Sequence, residues 1–241
     1  MRILKYTSGL LLWLILLGSS LNARGQADTV RVQGDRLRGV RIGYALASLS
    51  LLYFEPQRMI YTVSVDYEAW QDIYPVIEAG YQNVRIKEDN YRYESGGLFA
   101  RAGLDVNLMQ YEGTDVYEMI YEGLRYGISN FSQRADDILI PEDYFGDLVN
   151  GSIPDRRITA HWISLAGGIR VELFRNFFMG WTVLANIKLS VGDAGNMAPY
   201  NIPGFGPGEN RAGLVIKYSL EYRIPTQRYH PLKIVKRRSE P

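Results

Sequence analysis

The 241-residue sequence predicts an all-β fold: an eight-stranded antiparallel up-and-down transmembrane β-barrel with a polar, side-chain-filled interior. Three observations predict it. Successive segments alternate apolar and polar positions, the period of a strand with two unlike faces. Most glycines of those segments share the charged face, as a crowded interior requires. Short and long connections occupy opposite sides, the pattern of barrels with tight turns at one end and longer loops at the other.

Residues 1–27 read as a secretory signal peptide. Arg2 and Lys5 precede an apolar run over 10–17, and Gly18, Ser19, Ser20, Ala23, Gly25 and Ala27 lead towards a cleavage point. The run is shorter than the ~20 residues of a spanning helix. Residues 28–38 form a polar lead-in, and the barrel is expected over 39–224, followed by a basic periplasmic tail over 225–241.

The strands follow in order. In the first, 39–48, Val40, Ile42, Tyr44 and Leu46 alternate with Arg41, Gly43, Ala45 and Ala47. The second, 58–68, sets Met59, Tyr61, Val63, Val65 and Tyr67 against Thr62, Ser64, Asp66 and Glu68. The third, 73–84, sets Ile77, Ala79 and Tyr81 against Glu78, Gly80 and Gln82, with Pro75 near its start, where a missing amide costs least. The fourth, 97–108, sets Leu98, Ala100, Ala102, Leu104, Val106 and Leu108 against Phe99, Arg101, Gly103, Asp105 and Asn107. The fifth, 118–131, sets Ile120, Leu124, Tyr126 and Ile128 against Tyr121, Gly123, Arg125, Gly127 and Ser129. The sixth, 158–173, sets Ile163, Leu165, Ile169, Val171 and Leu173 against Ser164, Gly168, Arg170 and Glu172. The seventh, 177–190, sets Met179, Trp181, Val183, Ile187 and Leu189 against Gly180, Thr182, Asn186 and Lys188. In the eighth, 211–224, Ala212, Leu214, Ile216, Tyr218, Leu220, Tyr222 and Ile224 alternate with Arg211, Gly213, Val215, Lys217, Ser219, Glu221 and Arg223.

The links at 69–72, 109–117 and 175–176 are short, whereas those at 132–157 and 191–210 are long. Both barrel ends of the chain then fall on the short-turn, periplasmic side. Tyr67, Trp70, Tyr74, Tyr117, Phe177, Trp181 and Tyr222 make one aromatic girdle, and Tyr53, Phe54, Tyr61, Tyr81, Tyr126 and Phe131 the other. Half-wet rings suit both membrane interfaces.

Alternation alone does not orient the wall, because a lipocalin-type barrel keeps an apolar cavity and a solvated exterior. Glycines on the charged face, an almost unbroken apolar face and near-balanced charge all turn the charges inward. The cations Arg41, Arg101, Arg125, Arg170, Lys188, Lys217 and Arg223 meet the carboxylates Asp66, Glu68, Glu78, Asp105, Glu172 and Glu221. Eight strands leave an interior that side chains fill. Paired charges there read as a plug. One residue breaks the scheme: Glu122 falls on the lipid-facing parity of the fifth strand.

Composition excludes several chemistries. The absence of cysteine removes disulfides, thiolate metal sites, thiol catalysis and a lipid-modified N-terminal cysteine. A net charge of +1 offers no basic face for nucleic acid. His161 lies at the long-loop end of the sixth strand, with Ser164 three residues on, but no motif of a nucleophile–base–carboxylate triad accompanies them. His230 belongs to the polar tail. Asp136, Asp137, Glu142, Asp143 and Asp147 make one long loop acidic without the ligand spacing of a calcium loop. The stretch 203–208 is turn-rich and lacks the strand-then-helix setting of a phosphate cradle. Catalytic, cofactor-binding and metal-binding residues: none are expected, and no cofactor.

Several stretches together resemble a family of outer-membrane-type proteins from Bacteroidota, domain of unknown function 6048. They are Asp89-Asn90-Tyr91-Arg92-Tyr93, Glu118-Met119-Ile120-Tyr121 with Gly123-Leu124-Arg125-Tyr126-Gly127, and Asn176-Phe177-Phe178-Met179-Gly180-Trp181. Tyr200-Asn201-Ile202-Pro203-Gly204-Phe205-Gly206 and the closing Tyr222-Arg223-Ile224-Pro225 complete the set. The resemblance implies an outer-membrane β-barrel and supplies no activity, ligand or site.

The expected protein is therefore a non-enzymatic barrel of the cell outer membrane with a closed interior and a structural or surface-interaction role. Its expected partners are outer-membrane lipid and, during biogenesis, the barrel-insertion machinery, with the loop segments 132–157 and 191–210 as the place for any specific contact. The alternatives are a small porin or solute channel, a lipid-modifying hydrolase or acyltransferase using His161, and a periplasmic lipocalin-like carrier.

Overall fold

The computed structural model describes residues 29–31, 36–46, 58–87, 92–109, 117–141, 148–195, 198–229 and 232–234. The signal-peptide segment 1–27, Tyr53, Phe54, residues 142–147 and His230 lie outside them. Among the described residues no helix is long and apolar enough to cross a membrane, which leaves the question of strands open.

The strands are β1 (Thr29–Arg31), β2 (Arg36–Ala45), β3 (Arg58–Tyr67), β4 (Ile73–Lys87), β5 (Arg92–Asn107) and β6 (Met119–Pro141). They continue as β7 (Leu148–Phe174), β8 (Phe177–Val191), β9 (Asn201–Ile202), β10 (Gly206–Pro207), β11 (Ala212–Tyr229) and β12 (Leu232–Ile234). Eight of them, β2 to β8 and β11, form a closed antiparallel barrel in which each strand pairs with its neighbour in sequence order. At the seam between β2 and β11, the Leu46 amide donates to the Tyr218 carbonyl at 2.7 Å. All eight expected strands are present.

Alternation sets the wall as the sequence predicts. Ile77, Leu98, Leu104, Leu124, Ile216 and Leu214 stand exposed on the outside, Leu98 at 65% and Leu214 at 64%. Arg41, Asp66, Glu78, Arg101, Asp105, Arg125, Arg170, Lys217, Glu221 and Arg223 are buried inside. A strand shifted by one residue would reverse every one of these assignments, so the register is strongly specified.

The inward glycines make room for rings from adjacent strands. A Cβ on Gly80 would meet Phe99, one on Gly97 would meet Phe131, one on Gly127 would meet Trp162, and one on Gly168 would meet Tyr121. Each pair lies on neighbouring strands, so a missing side chain on one is filled by an aromatic from the next. Packing, not backbone freedom, explains these glycines.

The turns at the short end share one device. Asp72 and Asn176 adopt positive φ, 64° and 65°. This is the left-handed region that Asp and Asn tolerate best after glycine. In each turn the amide donates to a glutamate four residues earlier, Asp72 to Glu68 at 3.4 Å and Asn176 to Glu172 at 2.6 Å. The carboxylates expected to fill the interior at this end therefore also hold the turns.

Three expectations need correction. Segment 132–157 is largely a hairpin, because β6 runs on to Pro141 and β7 starts at Leu148. The pairing continues through register shifts around Ala135, where bulges absorb the mismatch. Secondly, β11 extends past Ile224 to Tyr229, so the first part of the supposed tail is strand. Leu232–Ile234 pairs with Thr29–Arg31, in a unit made from the two chain ends, so part of the lead-in and part of the tail are strand as well. Thirdly, three girdle aromatics point inward: Tyr74, Tyr117 and Phe131 are buried. Tyr74 and Phe131 lie on the charged parity of their strands, and Tyr117 falls on the same parity just before β6, which overrides the tendency of rings to sit at an interface. Trp70, Tyr61, Tyr81, Tyr126, Trp181 and Tyr222 are on the outside.

Candidate functional site

The interior is the best-defined chemical feature of the described residues, and it has two layers. The lower layer is ionic. Glu78 on β4 receives Arg125 Nη1 at 2.6 Å, lies 2.9 Å from Arg101 Nε, and is also paired with Lys217. Arg125 reaches on to Asp105, with Nη2 at 2.8 Å from Oδ2. A second group joins Arg41 to Asp66 at 2.7 Å, Asp66 to Arg170 at 3.1 Å, and Arg170 to Glu221. Adjacent inward positions on paired strands place these groups face to face: Glu78 is opposite Arg101, and Arg41 is opposite Asp66.

Soft contacts complete this layer. The Met119 sulfur accepts from Arg170 Nη1 at 2.9 Å. The Arg41 guanidinium lies 4.6 Å from the Tyr74 ring centre, and that of Arg170 lies 5.3 Å from the ring of Tyr121. Tyr121 and Thr182 share a hydrogen bond of 2.7 Å. At the short-turn end, Arg223 donates through Nη2 to the Asn176 Oδ1 at 2.7 Å and stacks on Tyr117.

The upper layer is apolar, and it corrects the expectation of an interior filled by ion pairs alone. Phe99, Phe131, Ile158, Ala160 and Trp162 form a buried cluster on the inner wall. Ile202 and Phe205, from the connection between β8 and β11, enter the same cluster. The turn-rich stretch 203–208 is therefore a plug for the long-loop end. Phe205 is fully buried, edge-on to Trp162 with centroids 6.0 Å apart. The insertion is held by polar anchors at its backbone. The Asn186 side chain donates to the Phe205 carbonyl at 2.8 Å, the Gly204 amide donates to Gln82 Oε1 at 3.0 Å, and Lys188 donates to the Gly208 carbonyl. Gly204 and Gly206 have φ of +76° and +112°, so the chain reverses where side chains would be strained. Between plug and wall lies a cavity of about 190 Å³, lined in part by Thr62, Gln82, Arg101 and Lys217.

His161 and Ser164 are not brought together. Ser164 is buried inside, whereas His161 faces outward and its Nδ1 lies 2.7 Å from the hydroxyl of Tyr126. Three residues apart on a strand means opposite faces. Glu122 is half-buried near the start of β6, between Val106 and Gly167. Asp136 lies 3.8 Å from Arg134, and the side chains of Asp137, Glu142, Asp143 and Asp147 lie outside the described residues. Among the described residues no cluster of histidine and carboxylate side chains could hold a metal ion.

The chain matches the family described as domain of unknown function (DUF6048) over residues 3–229. It belongs to that family. The match spans the residues of the whole barrel, including those of the ionic layer and the plug segment. No curated protein matches the chain.

Sequence reasoning found the ionic residues one by one and missed the plug. The available signal was weak: Phe99 alone interrupts the polar parity of its strand, and Phe205 sits among glycines and prolines with no periodicity.

Proposed function

We propose that the protein is an outer-membrane β-barrel with a closed interior, acting as a non-enzymatic structural or surface-interaction component of the cell envelope. The inverted polarity of the wall carries this reading. Large apolar side chains such as Ile77, Leu98, Leu214 and Phe174 are exposed around the barrel, while the charges are buried. Water-facing surfaces rarely carry apolar patches of more than a few hundred Å². A closed strand ring satisfies its backbone internally, which is what a hydrocarbon environment demands. The signal-peptide reading of residues 1–27 supplies the export step. Phe205, the ring cluster and the ion pairs fill the interior at successive levels, which favours a closed barrel over a solute channel.

Fractionation tests the reading. The protein should pellet with the outer membrane and resist extraction without detergent. The folded form in detergent should migrate differently on a gel before and after boiling. Recovery in the soluble periplasm would sink the idea. Planar-bilayer conductance well above background would replace the closed barrel by a channel.

A further inference from the structure

We propose that the cavity between the plug and the barrel wall is a binding site for a small carboxylate-sized anion, with Arg101 as its principal ligand. The inference goes beyond the membrane reading and stands whether or not the barrel spans a bilayer.

Geometry and charge support it independently. Arg101 is 2% exposed and lines the cavity together with Thr62, Gln82, Gly204, Pro207 and Lys217. Its Nη1 has no hydrogen-bond acceptor among the described residues, and its Nε lies beside Glu78 without hydrogen-bond alignment. A buried guanidinium with unspent donors is costly, and its fork geometry suits an anion with two oxygens. The charge count of this ion group is also uneven. Arg101, Arg125 and Lys217 surround Glu78 and Asp105, three cations to two carboxylates. Buried charge is normally paired. A single anion against Arg101 supplies both the missing acceptor and the missing negative charge. The volume of about 190 Å³ admits several waters or a small organic anion.

The plug would close over such an anion. Gly204 and Pro207 line the cavity, and the Gly204 amide is already fastened to Gln82. The occupant would thus lie between the ionic layer and the segment that seals the barrel mouth.

Crystals of the full chain, soaked in bromide, test this directly. The anomalous map should show bromide within hydrogen-bond distance of the Arg101 guanidinium, and a back-soak in acetate should remove the peak. Arg101→Gln, still folded by its gel shift on boiling, should lose the bromide. A wild-type map with water alone in the cavity overturns the proposal without any variant. A bromide peak that survives the acetate back-soak overturns it too, because the site then does not accept a carboxylate.

Discussion

Phe205, carried on a connection between strands, stands edge-on to Trp162 of the barrel wall with ring centroids 6.0 Å apart. Gly127 makes this contact possible from the other side, since any Cβ there would occupy the space of the Trp162 indole. Phe205→Ala should leave the ring cluster open at its centre. Phenylalanine-to-alanine changes in a packed interior cost about 3–5 kcal/mol. We expect a loss near the lower end of that range, because the segment can collapse partway into the gap. Chemical unfolding in detergent measures it, and quenching of Trp162 by acrylamide should rise in the folded state.

The glycine pairings predict a contrast between an inward and an outward position. Gly127→Val should block folding or cost roughly 2 kcal/mol or more, as overpacking of a filled interior does. Gly167→Ala should change stability by less than about 0.5 kcal/mol, the usual size for a surface substitution. Nothing lies within 4 Å of a Cβ placed at Gly167. Unfolding midpoints of the two variants decide the matter, and equal effects would contradict the packing account.

Glu78 is the common partner of Arg101, Arg125 and Lys217. Glu78→Gln keeps the volume and removes the charge, leaving three cations with Asp105 alone. Losing one partner of a buried ion pair typically costs about 3–5 kcal/mol. The expected result is a large fall in the folded fraction at equal denaturant, read as loss of the gel shift. A Glu78→Gln protein as stable as the parent would show that the network is spectator filling.

Leu98 lies on the outer face, 65% exposed. Leu98→Arg separates the membrane reading from a soluble one. In a bilayer the arginine costs up to about 2–4 kcal/mol, depending on depth. Insertion yield into vesicles should drop while the fold in detergent persists. A soluble carrier would instead gain solubility and keep its fold.

Asp193 provides a pH test outside the barrel strands. The Gly195 amide and the Arg156 guanidinium hold its carboxyl below its ordinary value of 3.8. The amide donates to Oδ1 at 2.9 Å, and Arg156 Nη1 lies 2.7 Å from Oδ2. A depressed pKa means the contacts favour the folded state above the unfolded pKa and fade as pH falls through the folded value. Amide exchange at Gly195 should therefore be constant from neutral pH down to mildly acidic conditions, after correction for the intrinsic rate. Its protection should be lost only below the ordinary carboxylate range. Asp193→Asn should remove that acid transition.

Much of the architecture is legible in the sequence because a barrel wall has an exact local code. Two faces meet two environments, so the parity of Val63 against Thr62, or of Leu104 against Asp105, reports which way each side chain points. Residue type misled where a ring belonged to the inner parity. Tyr74, Tyr117 and Phe131 were placed by residue type at the interfaces, whereas their parity put them inside. Segment 132–157 read as a loop because Gln133, Arg134, Asp136 and Asp155 broke the apolar pattern. A strand that runs beyond an apolar belt has no greasy face to show, and only its pairing with a neighbour reveals it.

By itself, the sequence determined the number of barrel strands and which residues of each share a face, since alternation depends on residues one or two positions apart, and glycine placement and charge balance turned the charges inward. The tertiary structure alone decided that the lumen has an apolar upper storey and that Ile202 and Phe205 fill it. That site is assembled from β5, β6 and β7 together with the connection before β11. Its shape exists only once the strands have closed, so no local period along the chain encodes it.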